Sequence, residues 1–170
     1  MSLLRTAVRP AARLRVNAMA APVTIAVRHL SFKPIYTAES TVKGARNGHL
    51  TTKSGSLDLQ LNMPKEFGTQ GGPGTNPEEL LGGGYSACFG GALAAAAGEL
   101  KLKLKPETTI TSLVSIGPKQ PKGFQLAVEL RVAKSGLEGA DFDRATELAH
   151  EICPFSHALK NNIEIKTVKA

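Results

Sequence analysis

The two cysteines are the residues in this sequence best suited to nucleophilic chemistry. Cys88 sits in "GGGYSACFGGALAAAAG", within a run from Leu80 to Gly98 that carries no charge, and Cys153 closes "ELAHEIC" directly before Pro154. The two lie far apart in the chain and form no C-x-x-C motif. A secreted disulfide scaffold would carry more cysteines in a shorter chain. In a reducing compartment such thiols are either a working pair or unrelated. An unperturbed thiol, with a pKa near 8.5, is only a few per cent thiolate at neutral pH, so it needs a positive charge close by to react. Lowering that pKa to about 6 takes roughly 3.4 kcal/mol, which a partly buried charged hydrogen bond can supply. The plain alternative is that each cysteine is a small core hydrophobe. His150, Cys153 and His157 have a spacing that suggests metal ligation. Pro154 interrupts their register and no fourth ligand is evident, so no metal is expected.

The elements that must hold these residues can be read from periodicity and turn chemistry. Ile35 to Val42 favours extended structure, and Asn47-Gly48 is a hairpin signal because both residues tolerate positive φ. A return strand over His49 to Thr52 follows, and then Leu57, Leu59 and Leu61 alternate with polar residues as in a half-buried strand. The Gly- and Pro-rich stretch from Pro64 to Gly74 is a loop. Asn76 as N-cap, Pro77 at the first helical position and Glu78 and Glu79 in the first turn start a helix that runs to about Leu102. Two long strands, "TTITSLVSI" and "GFQLAVELRVAK", are joined by a turn between Pro118 and Pro121. A second helix, "DFDRATELAHEIC", is capped by Asp141 and broken by Pro154. "NIEIKTVK" is a closing strand. The pattern predicts an α+β fold, an antiparallel sheet of about six strands with a long central helix.

That central helix is unusual. Its uncharged stretch has the length of a membrane span, but six Gly and six Ala with little Leu or Ile insert weakly. No membrane span is expected, and the helix is read as buried on all sides. Each interior Gly costs about 1 kcal/mol relative to Ala, and close backbone approach is the usual compensation. One sheet covers one side of the helix; a second copy of the same helix is the economical cover for the other, which predicts a homodimer.

The chain has 170 residues, 42% of them hydrophobic, enough for one domain plus an extension. Aromatics make up only 5% and Trp is absent, so base stacking on nucleic acid is poorly supplied and no nucleic-acid partner is expected. The net charge of +7 is concentrated at the amino terminus. Residues 1–30 hold Arg5, Arg9, Arg13, Arg15 and Arg28 and no acid, so of 21 basic and 14 acidic residues the remainder keeps 16 and 14. An Arg- and Ala-rich, acid-free start reads as a transit peptide. The expectation is therefore a cleaved mitochondrial presequence over residues 1–30, one domain over residues 31–170, and a matrix location.

Three separated motifs, "GARNG", "TNPEELLGGGYSACFGGAL" and "ICPFSHALKNNI", resemble in order the organic hydroperoxide resistance proteins, the Ohr branch of the OsmC/Ohr superfamily. The resemblance spans nearly all of Ile35 to Lys169. It implies an intertwined homodimer of α+β subunits and a cysteine-based peroxidase acting on organic and lipid hydroperoxides. By the same resemblance Cys88 matches the peroxidatic cysteine, Cys153 the resolving cysteine with which it forms a disulfide, and Arg46 and Glu78 the catalytic Arg and Glu. The reductant it implies is dihydrolipoamide or a lipoylated carrier protein, with no bound cofactor. Phe89, Phe155 and Leu81 are the apolar neighbours that would favour alkyl substrates. Glu79, Phe155 and Asn161 depart from residues frequent in the family. The reading from a different class is a non-catalytic OsmC-like small-molecule-binding protein.

Helix length adds a geometric condition. Glu78 and Cys88 are ten residues apart, about 15 Å along one straight helix. They meet if two antiparallel copies cross near residue 83, or if the helix kinks at Gly82 to Gly84.

Overall fold

A computed structural model of the chain describes residues 32–170, and the segment read as a transit peptide, residues 1–30, lies outside the described residues. Strands β1 (Ser40–Lys43), β2 (His49–Thr52) and β3 (Asp58–Gln60) form an antiparallel sheet. The long helix α1 (Pro77–Glu99) follows. Strands β4 (Thr109–Pro118) and β5 (Phe124–Ala133) form a hairpin, helices α2 (Gly139–Ile152) and α3 (Pro154–Leu159) cross over, and β6 (Glu164–Lys169) completes a second three-stranded sheet in the order β4-β5-β6.

The α+β class, the strand number and the central helix agree with expectation; the arrangement of the sheet differs. The six strands divide into two sheets, and β6 runs parallel to β5, Val128 opposite Ile165 and Leu130 opposite Thr167. Hairpins give antiparallel neighbours, but the chain between β5 and β6 is a helical crossover, and a crossover returns the next strand in the same direction.

Other local differences have local causes. The β1–β2 connection is a 3-10 turn over Ala45–Asn47, with positive φ at Gly44 and Ala45 rather than at Asn47-Gly48. Gly48 is still required: a Cβ there would lie 1.9 Å from the carbonyl oxygen of Lys43. Helix α1 stops at Glu99, short of Leu102, because Lys101 turns left-handed (φ 57) and the Leu102 N–H bonds back to the Ala97 carbonyl at 2.8 Å. This is a Schellman-type end without its usual Gly. The N-cap of α2 is Glu138 rather than Asp141.

The core lies between the second sheet and two helices. Tyr85, Phe89 and Leu93 on one face of α1 pack with Val128, Leu130 and Val132 of β5 and with Phe142, Ala145 and Ala149 of α2. The opposite face of α1, with Gly83, Ala87, Gly91, Ala94, Ala95 and Gly98, is exposed. The helix is long and apolar enough by length and composition to cross a membrane, but its large side chains are buried in this core. The first sheet is mostly exposed, with only Leu50 buried on its strands. Three short strands with so little cover are marginal by themselves.

Candidate active site

Two clusters form, one at each end of the site that the sequence anticipates. The first is built by the β1–β2 turn and the start of α1. Asn76 caps α1 by accepting the Glu79 N–H at 2.9 Å, and Pro77 supplies a preset φ at the first helical position. Glu78 is thereby fixed in the first turn. The Arg46 guanidinium donates to both of its carboxylate oxygens, Nη1 to Oε2 at 3.0 Å and Nη2 to Oε1 at 2.7 Å. This fork is the strong, directional form of an ion pair. It holds the Glu78 carboxyl below the ordinary carboxylate range, the Arg46 hydrogen bonds outweighing burial. The guanidinium also lies 5.5 Å from the centre of the Phe67 ring. Beside the pair, a cleft of about 670 Å³ is lined by Phe67, Gly82, Gly83 and Ser86 and by the inward side chains of β4.

The second cluster is the thiol pair. Cys153 is fully buried and caps the junction where Pro154 ends α2 and starts α3. Its S–H donates to Cys88 Sγ at 3.3 Å. Both thiols are free. A disulfide needs about 2.05 Å, so a closure of about 1.2 Å converts one state to the other. Burial pushes the Cys88 thiol above its ordinary value; the backbone N–H of Phe155 opposes that shift, and Cys153 adds to it.

The two clusters do not meet within one chain. Helix α1 is unbroken from Pro77 to Glu99, so the kink at the glycines does not occur. Ten residues of helix separate Glu78 from Cys88 by about 15 Å along the axis and about 80° around it. Among the described residues no cation therefore stabilises a Cys88 thiolate inside one subunit, and the expected lowering of its pKa is absent at that level.

The apolar neighbours divide. Phe155 is exposed at the thiol pair, with its ring on the glycine stripe; a Cβ at Gly84 would lie 3.2 Å from it. Leu81 is half-buried on α1. Phe89 does not line an open pocket: it is fully buried, with its ring 4.8 Å from that of His150. Consecutive helix residues point about 100° apart, which turns Phe89 inward although Cys88 is its neighbour. Asn161 adopts φ 67, the left-handed conformation that Asn tolerates where the family often has Gly.

Two residues near the thiols, Tyr85 and Ser156, escaped the sequence reading, and a third, His150, entered it only as a candidate metal ligand. Tyr85 lies one helical turn before Cys88, Ser156 one turn after Cys153, and His150 three before Cys153. The Tyr85 hydroxyl bonds to Ser156 Oγ at 2.9 Å, and Ser156 Oγ to His150 Nδ1 at 2.9 Å. The i, i+3 spacing was the available signal.

Comparison with known proteins gives a consistent result. Residues 68–168 match the family model of OsmC-like proteins. An organic hydroperoxide resistance protein of Xanthomonas axonopodis pv. citri is 44% identical over 133 residues, 78% of this chain and 93% of the relative. A crystal structure of an organic hydroperoxide resistance protein from Legionella pneumophila is 38% identical with a TM-score of 0.75, covering 81% of this chain and 99% of that one. The organic hydroperoxide resistance protein OhrB of Bacillus subtilis is 35% identical with a TM-score of 0.72, covering 81% and 100%. These relatives are bacterial, as are those from Acinetobacter and Staphylococcus. That overturns the expected mitochondrial matrix location, and the presequence reading has no support from them. Arginine-rich composition reports charge and amphipathicity, which by themselves specify no compartment.

Proposed function

This chain belongs to the OsmC-like family, among the organic hydroperoxide resistance proteins, and from that membership we propose that it is a homodimeric cysteine peroxidase for organic and lipid hydroperoxides. The observation that carries the reading is the pair of free sulfurs 3.3 Å apart, one half-buried and one fully buried. The Cys88 thiolate attacks the peroxide oxygen, the O–O bond breaks, and an alcohol leaves after taking up a proton. Cys153 attacks the resulting sulfenic acid, giving a disulfide and water and guarding Cys88 from further oxidation. An external dithiol, dihydrolipoamide or a lipoylated carrier protein, restores both thiols by exchange.

The Arg46–Glu78 pair enters from the second subunit. Two antiparallel copies of α1 crossing at Gly83 put Glu78 of one level with Cys88 of the other. Several features favour this. Among the described residues a Cβ at Gly83 or Gly91 would meet nothing within 4 Å, and the α1 face bearing them is exposed. Leu113 and Phe155 are exposed as well. Arg46 then stabilises the thiolate and the developing negative charge on the peroxide oxygens, while Glu78 fixes the guanidinium. Phe155 and Leu81 offer apolar contact to an alkyl chain.

One observation favours the non-catalytic binding reading: burial raises the Cys88 thiol within a single chain. The test is turnover of tert-butyl hydroperoxide with dihydrolipoamide, for the wild-type protein and Cys88→Ser. Turnover lost in the variant supports the peroxidase; equal inactivity of both supports the binder.

A further inference from the structure

A hydrogen-bonded chain runs from the two elements that carry the cysteines to a second cleft. It begins at Tyr85 and Ser156, both fully buried. Tyr85 precedes Cys88 by one turn of α1, and Ser156 follows Cys153 by one turn at the start of α3, so their 2.9 Å bond joins the two cysteine-bearing elements. From Ser156 Oγ the chain passes to His150 Nδ1 at 2.9 Å, and from His150 Nε2 to Thr167 Oγ1 of β6 at 2.7 Å. His150 and Thr167 line a cleft of about 380 Å³ with Asp143, Glu147 and Lys160. This cleft shares no lining residue with the one beside Arg46 and Glu78.

Every link in this chain can both give and accept a proton. Hydroxyls do so by rotation, and a neutral imidazole does so with one nitrogen as donor and the other as acceptor. The groups facing His150 are the aromatic ring of Phe89 from α1, Ser156 from α3 with Tyr85 bonded behind it, Thr167 from β6, and Asp143, Glu147 and Lys160 around the cleft. Burial first, and then the charge of Lys160, keep the imidazole below its ordinary pKa and hence neutral near pH 7. The Tyr85 phenol is raised by burial, against the Ser156 hydrogen bond, and is sensitive to the sulfurs of Cys153 and Cys88.

We infer that Tyr85, Ser156 and His150 form a proton path that serves the resolving step at Cys153, with His150 as its terminal base. The inference rests on the peroxidase reading above. In that step the Cys153 sulfur attacks the Cys88 sulfenic sulfur. The S–S bond forms, the S–O bond breaks with its electron pair going to the leaving oxygen, Cys153 is oxidised and the sulfenic sulfur is reduced. The Cys153 proton must leave a sulfur with no exposed surface, and the leaving hydroxide must gain one to become water. The path takes up the first proton at the Tyr85–Ser156 hydroxyls and releases it at His150 toward the cleft; the second comes from solvent on the exposed Cys88 side, so one water is made and no net proton is consumed. His150 touches neither sulfur and acts through Ser156; it is a positioning and relay residue.

The experiment mixes reduced protein with one equivalent of tert-butyl hydroperoxide and follows peroxide loss and disulfide formation separately, by quenching and thiol mass analysis across pH. In the wild type, disulfide formation should slow in acid as His150 takes up its own proton. His150→Gln keeps a hydrogen-bonding amide but cannot titrate. It should close the disulfide about tenfold or more slowly, lose the acid limb, and divert Cys88 to sulfinic acid when peroxide is in excess. Ser156→Ala breaks the path while keeping the imidazole itself and should behave alike. Unchanged closure rate and pH profile in His150→Gln overturn the path. A slow His150→Gln beside a normal Ser156→Ala also overturns it, because packing on Phe89 would then be the cause. If the wild type consumes no hydroperoxide, the peroxidase reading fails and takes this inference with it. Normal consumption with resolution indifferent to His150 removes the inference alone.

Discussion

Replacing the Arg46–Glu78 pair tests whether the catalytic cation reaches Cys88 from its own chain or from a second one. Within one subunit the charge is about 15 Å away along α1. At that distance two unit charges in water interact by about 0.3 kcal/mol, or about 0.2 pKa units, and the separation exceeds the roughly 8 Å Debye length at physiological salt. Across a helix crossing, the guanidinium would come to about 4 Å, where an effective dielectric near 20 gives about 4 kcal/mol as an upper bound. Desolvation reduces that, and an effect of about 1 to 3 pKa units is the working expectation. The double variant Arg46→Met/Glu78→Gln is the clean perturbation, since Arg46→Met alone leaves an unpaired carboxylate near the sulfur. The assay is the pH dependence of iodoacetamide alkylation at Cys88 in a Cys153→Ser background. A rise of at least one unit supports the crossing; a change of about 0.2 units or less refutes it.

Mixing experiments sharpen the same point. A Cys88→Ser chain keeps its Arg46, and an Arg46→Met chain keeps its Cys88. If each site combines residues of two chains, a mixed dimer of these two inactive proteins holds one intact site. Random exchange makes half of all dimers mixed, so about one quarter of wild-type peroxidase activity should return for a two-fold dimer. Sites confined to one chain recover nothing on mixing, and that outcome would sink the composite site whatever the alkylation data show.

Three further outcomes follow from the same structure. Cys153→Ser should consume one equivalent of hydroperoxide, fail to form an internal disulfide, and accumulate sulfinic acid at Cys88 on further exposure, read by intact-protein mass. Gly83→Leu places a large side chain where one chain leaves open space; on an exposed helix it should raise helix stability by a few tenths of a kcal/mol or more relative to Gly, but if the second α1 crosses there it should produce monomers, seen by sedimentation, and lower Cys88 reactivity. Stability should fall in acid in two stages. The folded pKa of His150 is depressed, so its contribution is complete above the ordinary imidazole value near 6.5 and is lost as pH falls through the lower folded value. Glu78, also depressed, loses its contribution at lower pH, below the ordinary carboxylate range. Denaturant titrations from pH 8 to pH 3 should show the first stage disappear in His150→Gln and the second in the Arg46→Met/Glu78→Gln pair variant.

What could be read in advance was what local chemistry decides. The start of α1 was legible because Asn76, Pro77 and the two glutamates each act within four residues of one another. The break at Pro154 was legible for the same reason. The parallel pairing of β6 was not, because strand direction depends on where a helical crossover delivers the chain, and alternation in "NIEIKTVK" is the same for either direction. Phe89 was misplaced by adjacency: beside Cys88 in the chain, it faces the core rather than the thiol. Tyr85 and Ser156 were overlooked for the converse reason, each lying a full turn from the cysteine it serves. The motif resemblance named Arg46, Glu78, Cys88 and Cys153 as one site; the structure shows them as two pairs, and helix geometry keeps those pairs apart within one subunit.

That condition gives the glycines of α1 a purpose that packing within one chain does not. Gly82 and Gly84 approach β4 and Phe155 of their own subunit, which explains two of the three in the run. Gly83 touches nothing among the described residues. The lost propensity of about 1 kcal/mol at that open position is accounted for if a second chain packs there, and the midpoint between Glu78 and Cys88 is the place where the proposed two-fold crossing aligns both pairs at once. Folding of one subunit brings the two sulfurs together and leaves Cys88 mainly protonated. In the proposed crossing, association supplies the guanidinium, and thiol reactivity would then be acquired only when the second subunit arrives.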